Sequence, residues 1–335
     1  MANNLPQKAP IFCQDPPSAE AADALIWSNW SAEDRKKWAN TLLFENGGKL
    51  KTLMKEKWKL PAPEAPEVWR GSRLPVCEDV DGDGPPASPE EPWIELMDCD
   101  PLHAAFIASQ RYPGKGVAVH NWADHIMSPD DHTATAHKNL QSESMLVRTT
   151  LKEHLVDVKF PRDQEDVLYS EGVFCYGLEH GSYDDKRHQF FLSFIGCAPP
   201  GVRNDPDIRS NDPVNNCILH PQRQLIADKV TWILRVAAIQ GAAVVVLGAF
   251  AALEPQSTIA RITKDVLLDP PAGDKWREAG IQKVILAIPD WPFLKGSFRI
   301  FEEVFSGSEH VKVANLGDLL EEIYLRPFFN TQSSP

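Results

Sequence analysis

Several common motifs of enzymes and nucleotide-binding proteins are missing from this sequence. It contains no Walker phosphate-binding loop, no G-x-G-x-x-G, no H-E-x-x-H and no G-x-S-x-G. These absences leave P-loop nucleotide hydrolases, Rossmann dehydrogenases, zinc proteases and serine hydrolases without a signature here. Any chemistry must therefore come from a less common arrangement of side chains.

Cysteine is scarce and widely spaced. The 335 residues include six cysteines, and no two of them form a C-x-x-C pair. This pattern predicts free thiols in a reducing compartment rather than a disulfide framework. The polar N-terminus lacks the apolar segment of a signal peptide, so we expect a cytoplasmic or nuclear protein.

Basic residues are outnumbered by acidic ones. Lys and Arg total 34 against 47 Asp and Glu, and the net charge is −13. The overall field repels polyanions, so the sequence predicts neither a nucleic-acid partner nor binding to an acidic membrane. The most apolar stretch, 232–252, is interrupted by Arg235 and Gln240, which favours a buried helix followed by a buried strand over a membrane span.

Strands and helices alternate from Trp93 onward, and the content of hydrophobic residues, 43%, is enough for a core. The predicted strands cover 93–99, 116–122, 167–176, 190–198, 242–250 and 281–289. The predicted helices cover 101–110, 139–155, 222–240, 256–267 and 297–306. Short strands without a polar face, such as 244–247, are typical of a central sheet that is covered on both sides. The order predicts an α/β fold with a three-layer mixed sheet and helices on both faces.

The remaining segments suggest a simple domain division. We expect residues 1–30 to be irregular and a helical extension to begin near Ser31, which can cap a helix. A proline-rich acidic loop is predicted at 61–92, inside a domain that spans 31–310. Residues 311–335 are predicted to form a C-terminal tail.

One acidic motif imitates a calcium loop. Asp79-x-Asp81-x-Asp83-Gly84-x5-Glu90 has the spacing of an EF-hand. Prolines flank this motif on both sides and exclude the two helices that an EF-hand needs. We interpret the segment as a solvated acidic loop and predict no metal there.

A second polar cluster follows the strand at 116–122. Imidazoles and carboxylates of this kind can bind divalent metals, but their spacing is irregular. The segment is interpreted as a mobile loop, with a different chemistry in the same cleft left open as an alternative. Its members are Asp124, His125, Asp130, Asp131, His132 and His137.

Several segments, in order, resemble the microbial-type poly(ADP-ribose) glycohydrolase family. Asn121-Trp122-Ala123-Asp124 stands at a strand end where that family has Asn-Phe-Ala-Asn. Leu146 and Arg148 match its helix signature Gln-Glu-Glu-x-Leu-x-Arg, and we expect both to serve helix packing, with a local ion pair at Arg148. The strands VLYSEGVFCY (167–176) and VVVLGAFAAL (244–253) are also similar to family segments. The resemblance covers roughly residues 30–310 and implies a macrodomain-like fold.

The resemblance also implies a site. It assigns the remaining catalytic carboxylate to Glu143 and implies ADP-ribose or a related nucleotide as the ligand, without a cofactor. The positions that it implies for ligand binding are Asn121, Asp124, Ser144, Gly248, Ala249 and Phe250.

The departures from the family pattern bear on activity. The family's triple glycine, which lets backbone N–H groups approach a diphosphate, is replaced near Asp130-Asp131-His132 by side chains, two of them carboxylates. The second glycine-rich loop is replaced by Ala251-Ala252-Leu253. Ser144 stands where the family has its catalytic acid, and a serine hydroxyl is no general acid at neutral pH.

Three hypotheses follow. The chain is a divergent member of this type that has lost glycohydrolase activity and acts as a binding or scaffold protein. Alternatively, it is an ADP-ribosyl glycohydrolase that uses Glu143 as its single acid. The third hypothesis is a different reaction, carried out by the His/Asp loop in the same cleft.

Overall fold

The computed structural model describes one mixed α/β unit. The described residues are 60, 63–77, 92–121, 145–146, 148–159, 162–176, 189–199, 220–248, 256–289, 296–315 and 317–319. The strands are β1 (Glu67–Arg70), β2 (Ile94–Met97), β3 (Val117–Asn121), β4 (Asp166–Cys175), β5 (Phe190–Cys197), β6 (Val244–Gly248), β7 (Lys283–Ala287) and β8 (Val311–Ala314). The helices are α1 (Pro101–Arg111), α2 (Leu151–His154), α3 (His220–Ile239), α4 (Gln256–Leu268) and α5 (Ser297–Phe305).

All eight strands belong to one sheet, in the order β1-β4-β5-β3-β6-β7-β2-β8. The six adjacent strands β5-β3-β6-β7-β2-β8 run parallel, and β4 pairs antiparallel with both β5 and β1. Parallel strands need helical crossovers, which place helices on the faces of the sheet. This arrangement confirms the predicted mixed sheet.

Two hydrophobic clusters separate the layers. One cluster joins α1 and α2 to one face of the sheet, through residues such as Leu102, Val119 and Val246. The other joins α3, α4 and α5 to the opposite face, through residues such as Ile233 and Val245. Consecutive residues of β6 thus pack in opposite clusters, because successive side chains of a strand point to opposite faces of the sheet. The predicted three layers are confirmed.

The six predicted strands correspond to β2–β7, and four of the predicted helices correspond to α1, α3, α4 and α5. The apolar run at 232–252 divides as predicted, because α3 ends at Ile239 and β6 begins at Val244. Within the described residues, no helix is both long and apolar enough to cross a membrane.

The prediction of one continuous helix over 139–155 is wrong, because the helix is interrupted at Thr149 and Thr150. Thr149 leaves the helix to form an isolated antiparallel bridge with Cys175, and the backbone N–H of Thr150 donates to the Phe174 carbonyl at 2.9 Å. The Thr150 hydroxyl accepts from the Phe174 backbone N–H at 3.0 Å. The Thr149 hydroxyl accepts from the Leu151 backbone N–H at 3.1 Å. Such local bonds from a hydroxyl to the backbone compete with helix formation, and helix α2 starts afresh at Leu151.

Two edge strands lie in segments for which the sequence predicted no strand. Strand β1 lies inside the predicted acidic loop 61–92 and pairs with β4 from Glu67 to Arg70. Strand β8 begins just after the predicted domain end at 310, and Ala314 packs in the core beside α1. The sheet therefore continues into the predicted tail. Residues 1–59, with the helical extension, lie outside the described part of the chain.

Candidate functional site

Asn121 is the last residue of β3 and lies at the carboxyl edge of the parallel strands. Its side chain faces the α1 layer, because Val117 and Val119 on the same face pack in the α1 cluster. Only 2% of its surface is exposed. Its Oδ1 is buried without a hydrogen-bond partner in the described structure. A buried amide oxygen of this kind is costly unless something bonds to it, which makes Asn121 a candidate ligand contact.

Small residues surround Asn121 along the edge of the sheet. The register pairs Asn121 with Gly196 on one side. On the other side, Gly248 lies two residues beyond the pair Val119–Val246, as does Asn121. Neither neighbouring strand therefore adds a Cβ beside the Asn121 side chain at this level of the sheet.

The connections of the chain diverge at this point. After β3 the chain continues to β4, on one side of the sheet, and after β6 it continues to β7, on the other side. Open α/β sheets bind ligands outside the carboxyl ends of strands, where connections leave in opposite directions. Asn121 and Gly248 end the two strands at this switch point, which locates the candidate site.

Asp100 caps the start of α1, which follows β2. Strand β2 lies two strands away from β6 in the sheet. Its Oδ1 accepts from the backbone N–H of Leu102 at 2.8 Å and from Nη2 of Arg148 at 2.8 Å. His103 Nδ1 lies 4.0 Å from the same oxygen. Burial alone would raise the pKa of Asp100, but Arg148, His103 and the Leu102 N–H together hold it below its usual value. The carboxylate is therefore ionised and caps α1, so this helix start is filled by a protein anion.

Arg148 was interpreted from the sequence as a helix-packing residue with a local ion pair. Its packing is confirmed, since it is 4% exposed. Its ion pair is not local, because Asp100 lies 48 residues away in the chain. The pair joins the start of α1 to the segment that carries the resemblance to the family helix. Leu146 is buried in the α1 cluster, in agreement with its predicted packing role.

A second set of buried polar groups lies on the opposite face of the sheet, under α3. His120 Nε2 lies 3.2 Å from the Cys197 carbonyl oxygen, and Lys229 Nζ donates to the Gln164 carbonyl. Burial lowers the pKa of His120 to about 4, with the charge of Lys229 lowering it further and the Cys197 carbonyl opposing both. Burial also lowers the pKa of Lys229. Sequence reasoning missed these residues, because a single His or Lys within an apolar run carries no spacing signal.

Most residues that the resemblance assigned to the site lie outside the described part of the chain. These are Glu143, Ser144, Asp124, Ala249 and Phe250, and the same holds for the His/Asp loop and for the acidic motif at 79–90. Of the predicted ligand-binding positions, the structure brings together Asn121 and Gly248. Gly196 is an addition to the prediction, and a glycine near the end of an apolar strand is the signal that could have revealed it. Among the described residues, no group of three or more potential metal ligands occurs.

Solved structures of bacterial poly(ADP-ribose) glycohydrolases share this fold. The poly(ADP-ribose) glycohydrolase from Thermomonospora curvata matches with a TM-score of 0.57 and 18% identity, over 82% of this chain and 100% of that chain. The same protein bound to the inhibitor ADP-HPD gives 0.56 and 17%, over 81% and 99%. The poly(ADP-ribose) glycohydrolase from Deinococcus radiodurans in complex with ADP-ribose gives 0.52 and 14%, over 72% and 94%.

No protein-family model and no curated protein matches the sequence. The structural likeness establishes the fold, which is a macrodomain-like α/β fold. In particular, it is the fold of the microbial poly(ADP-ribose) glycohydrolases, as the sequence resemblance implied.

Proposed function

We propose that this protein binds ADP-ribose or a related nucleotide at the carboxyl ends of β3 and β6, and that it does so without efficient glycohydrolase activity. The observation that carries the proposal is the buried, unpartnered Oδ1 of Asn121 beside Gly196 and Gly248. A ribose hydroxyl is a donor that can bond to this oxygen, and the neighbouring glycines add no side chain beside it. The fold is shared with proteins that were solved with ADP-ribose or ADP-HPD.

The loss of hydrolysis is argued from the sequence. Cleavage of a ribose glycosidic bond needs a carboxyl group that protonates the leaving oxygen or activates water. Ser144 replaces the residue to which the family assigns this role, and Glu143 is the carboxylate that remains. Asp130 and Asp131 add negative charge where the family binds a diphosphate, so we expect weaker binding than a glycine loop would give. The protein would then act as a binding or scaffold protein in the cytoplasm or nucleus.

Calorimetric titration with ADP-ribose tests the binding. The wild-type protein should bind, and Asn121→Ala should weaken the affinity by about tenfold, which is the effect of one lost hydrogen bond to a buried acceptor. Adenosine lacks the diphosphate. Its affinity should fall below that of ADP-ribose by less than it would at a site that holds the diphosphate strongly. No heat and no thermal stabilisation at millimolar ADP-ribose would contradict the proposal.

The alternative function is hydrolysis with Glu143 as the single acid. It is tested by incubating the protein with ADP-ribose polymer and measuring released ADP-ribose. Our proposal expects no release above the level of a Glu143→Ala variant. Release by the wild type that Glu143→Ala abolishes would establish the alternative instead.

A further inference from the structure

We propose that His120 is a positioning residue, which holds Asn121 in the orientation that the ligand requires. The inference rests on the proposed function, because it concerns the same site. His120 does not itself face the candidate ligand position, since adjacent residues of a strand point to opposite faces of the sheet. It acts through the backbone of β3.

The geometry supports this role. The registered pairing of β3 with β5 ends at Asn121 and Gly196. Cys197 is the next residue of β5, and its carbonyl oxygen lies 3.2 Å from Nε2 of His120. The imidazole therefore ties the end of β3 to β5 one residue beyond the last registered pair, at the point where Asn121 projects toward the α1 layer.

The chemistry of the contact is defined by its acceptor. A carbonyl oxygen only accepts, so Nε2 of His120 carries the proton and donates. The ring is completely buried, and its pKa of about 4 keeps it neutral at ordinary pH. The bond is therefore a neutral buried hydrogen bond, and its strength does not change between pH 6 and pH 8.

Asn121 needs such support because its own side-chain oxygen bonds to nothing in the described structure. The location of that oxygen thus depends on the backbone at the end of β3. A side chain that must meet a ligand tolerates little displacement, and its supporting hydrogen bonds determine whether it lies in the right place.

The test compares His120→Leu with His120→Gln. Leucine removes the donor, whereas the amide nitrogen of glutamine can occupy the position of Nε2 and donate to the Cys197 carbonyl. Tyr169→Phe is the matched control. It removes another cross-strand contact on the same face, a partly buried one from the Tyr169 hydroxyl to Ser193 Oγ at 3.0 Å, between β4 and β5.

The readouts are the affinity for ADP-ribose by calorimetry, well below each variant's melting temperature, and hydrogen exchange of the backbone at 117–121. We expect His120→Leu to bind about tenfold more weakly, with faster exchange at 117–121, and His120→Gln to restore most of the affinity. Tyr169→Phe should retain wild-type affinity, whatever it does to stability.

The outcomes separate the two proposals. Wild-type protein that does not bind ADP-ribose overturns the proposed function and this inference with it. Wild-type binding that is unchanged in a folded His120→Leu variant overturns the inference alone. Equal losses of affinity in His120→Leu and Tyr169→Phe would show a general effect of core damage and would also overturn it.

Discussion

The guanidinium of Arg235 holds the carboxylate of Asp274 with two nitrogens, Nε at 3.0 Å from Oδ1 and Nη2 at 2.8 Å from Oδ2. The Asp274 side chain is completely buried. Asp274 Oδ1 also accepts from the backbone N–H of Cys77 at 3.0 Å, and Nη1 of Arg235 donates to the Leu74 carbonyl at 3.2 Å. The pair thus fastens Leu74 and Cys77, within the predicted acidic loop, to α3, across 161 residues of sequence between Leu74 and Arg235.

Replacement of Asp274 should therefore destabilise the whole domain. In Asp274→Ala the Arg235 guanidinium keeps its charge in a largely buried site, and the Cys77 N–H loses its acceptor. We expect a loss of about 3 kcal/mol in the free energy of unfolding, measured by urea titration, because removing one partner of a buried pair leaves the other uncompensated.

The exposed pair Arg299–Glu303 provides the control. Its side chains are 79% and 64% exposed, and Nε lies 3.0 Å from Oε1. Glu303→Ala should change the free energy of unfolding by no more than about 0.5 kcal/mol. Equal effects of the two substitutions would contradict the role that we assign to burial at Asp274.

The thiols offer a second prediction. Cys77, Cys99, Cys175 and Cys197 are buried and form no disulfide. Burial is the main reason that the pKa of Cys77 rises to about 12 and that of Cys197 to about 11. Since the thiolate is the nucleophile, a rise from 9.0 to about 11 removes roughly 99% of it at pH 8.

We therefore expect these four cysteines to resist a thiol reagent in the native protein and to react after unfolding in guanidinium chloride. Peptide mapping after brief alkylation at pH 8 identifies which cysteines are modified. Labelling of Cys197 at the rate seen in the unfolded chain would contradict the buried environment of β5.

The central part of this fold could be predicted from sequence because its strands are buried on both faces. Runs such as Val244–Leu247 have no polar face, and they stand out from the polar loops around them. The edge strands could not be predicted, because each pairs with only one neighbour and several of their side chains are exposed. Val68 in β1 and Val313 in β8, for example, are half exposed. Strand formation there depends on the neighbouring strand more than on the segment itself.

The candidate site was predicted in part. Asn121 and Gly248 were assigned through family resemblance, and parallel pairing brings them to one edge. The pairing of Asn121 with Gly196 depends on the order of strands in the sheet, which local patterns do not encode. The partner of Arg148 was missed for the same reason, since α1 carries Asp100 to it from another part of the chain.

Asp100 gives a prediction about pH. Its pKa is lowered in the folded protein, so the ionised carboxylate contributes stability at pH values above its unfolded pKa of about 3.9. That contribution disappears as the pH falls through the lower folded value. In Asp100→Asn the amide oxygen can still cap α1, but the charge that faces Arg148 is gone.

Between pH 5 and pH 8, we expect the free energy of unfolding of Asp100→Asn to be about 2 kcal/mol lower than that of the wild type. This is the size of a hydrogen bond to a charged group. The difference from wild type should shrink below about pH 4, as the wild-type carboxyl becomes protonated. Urea titrations at a series of pH values measure this difference. A difference that stays constant down to pH 2 would show that the ion pair with Arg148 is not its cause.

Gly248 allows the space in the candidate site to be tested apart from its hydrogen bonds. Gly248→Val places a branched side chain beside Asn121, where we expect the ligand, whereas Gly248→Ala adds a single methyl group. Valine is favoured in strands, so the substitution should leave the melting temperature unchanged or higher. We expect ADP-ribose affinity to fall by at least about tenfold in Gly248→Val and less in Gly248→Ala, because steric exclusion grows with side-chain volume. Affinity measured by calorimetry and stability measured by thermal unfolding separate the loss of binding space from any change in the fold. Retained affinity in a stable Gly248→Val protein would place the ligand elsewhere than between β3 and β6.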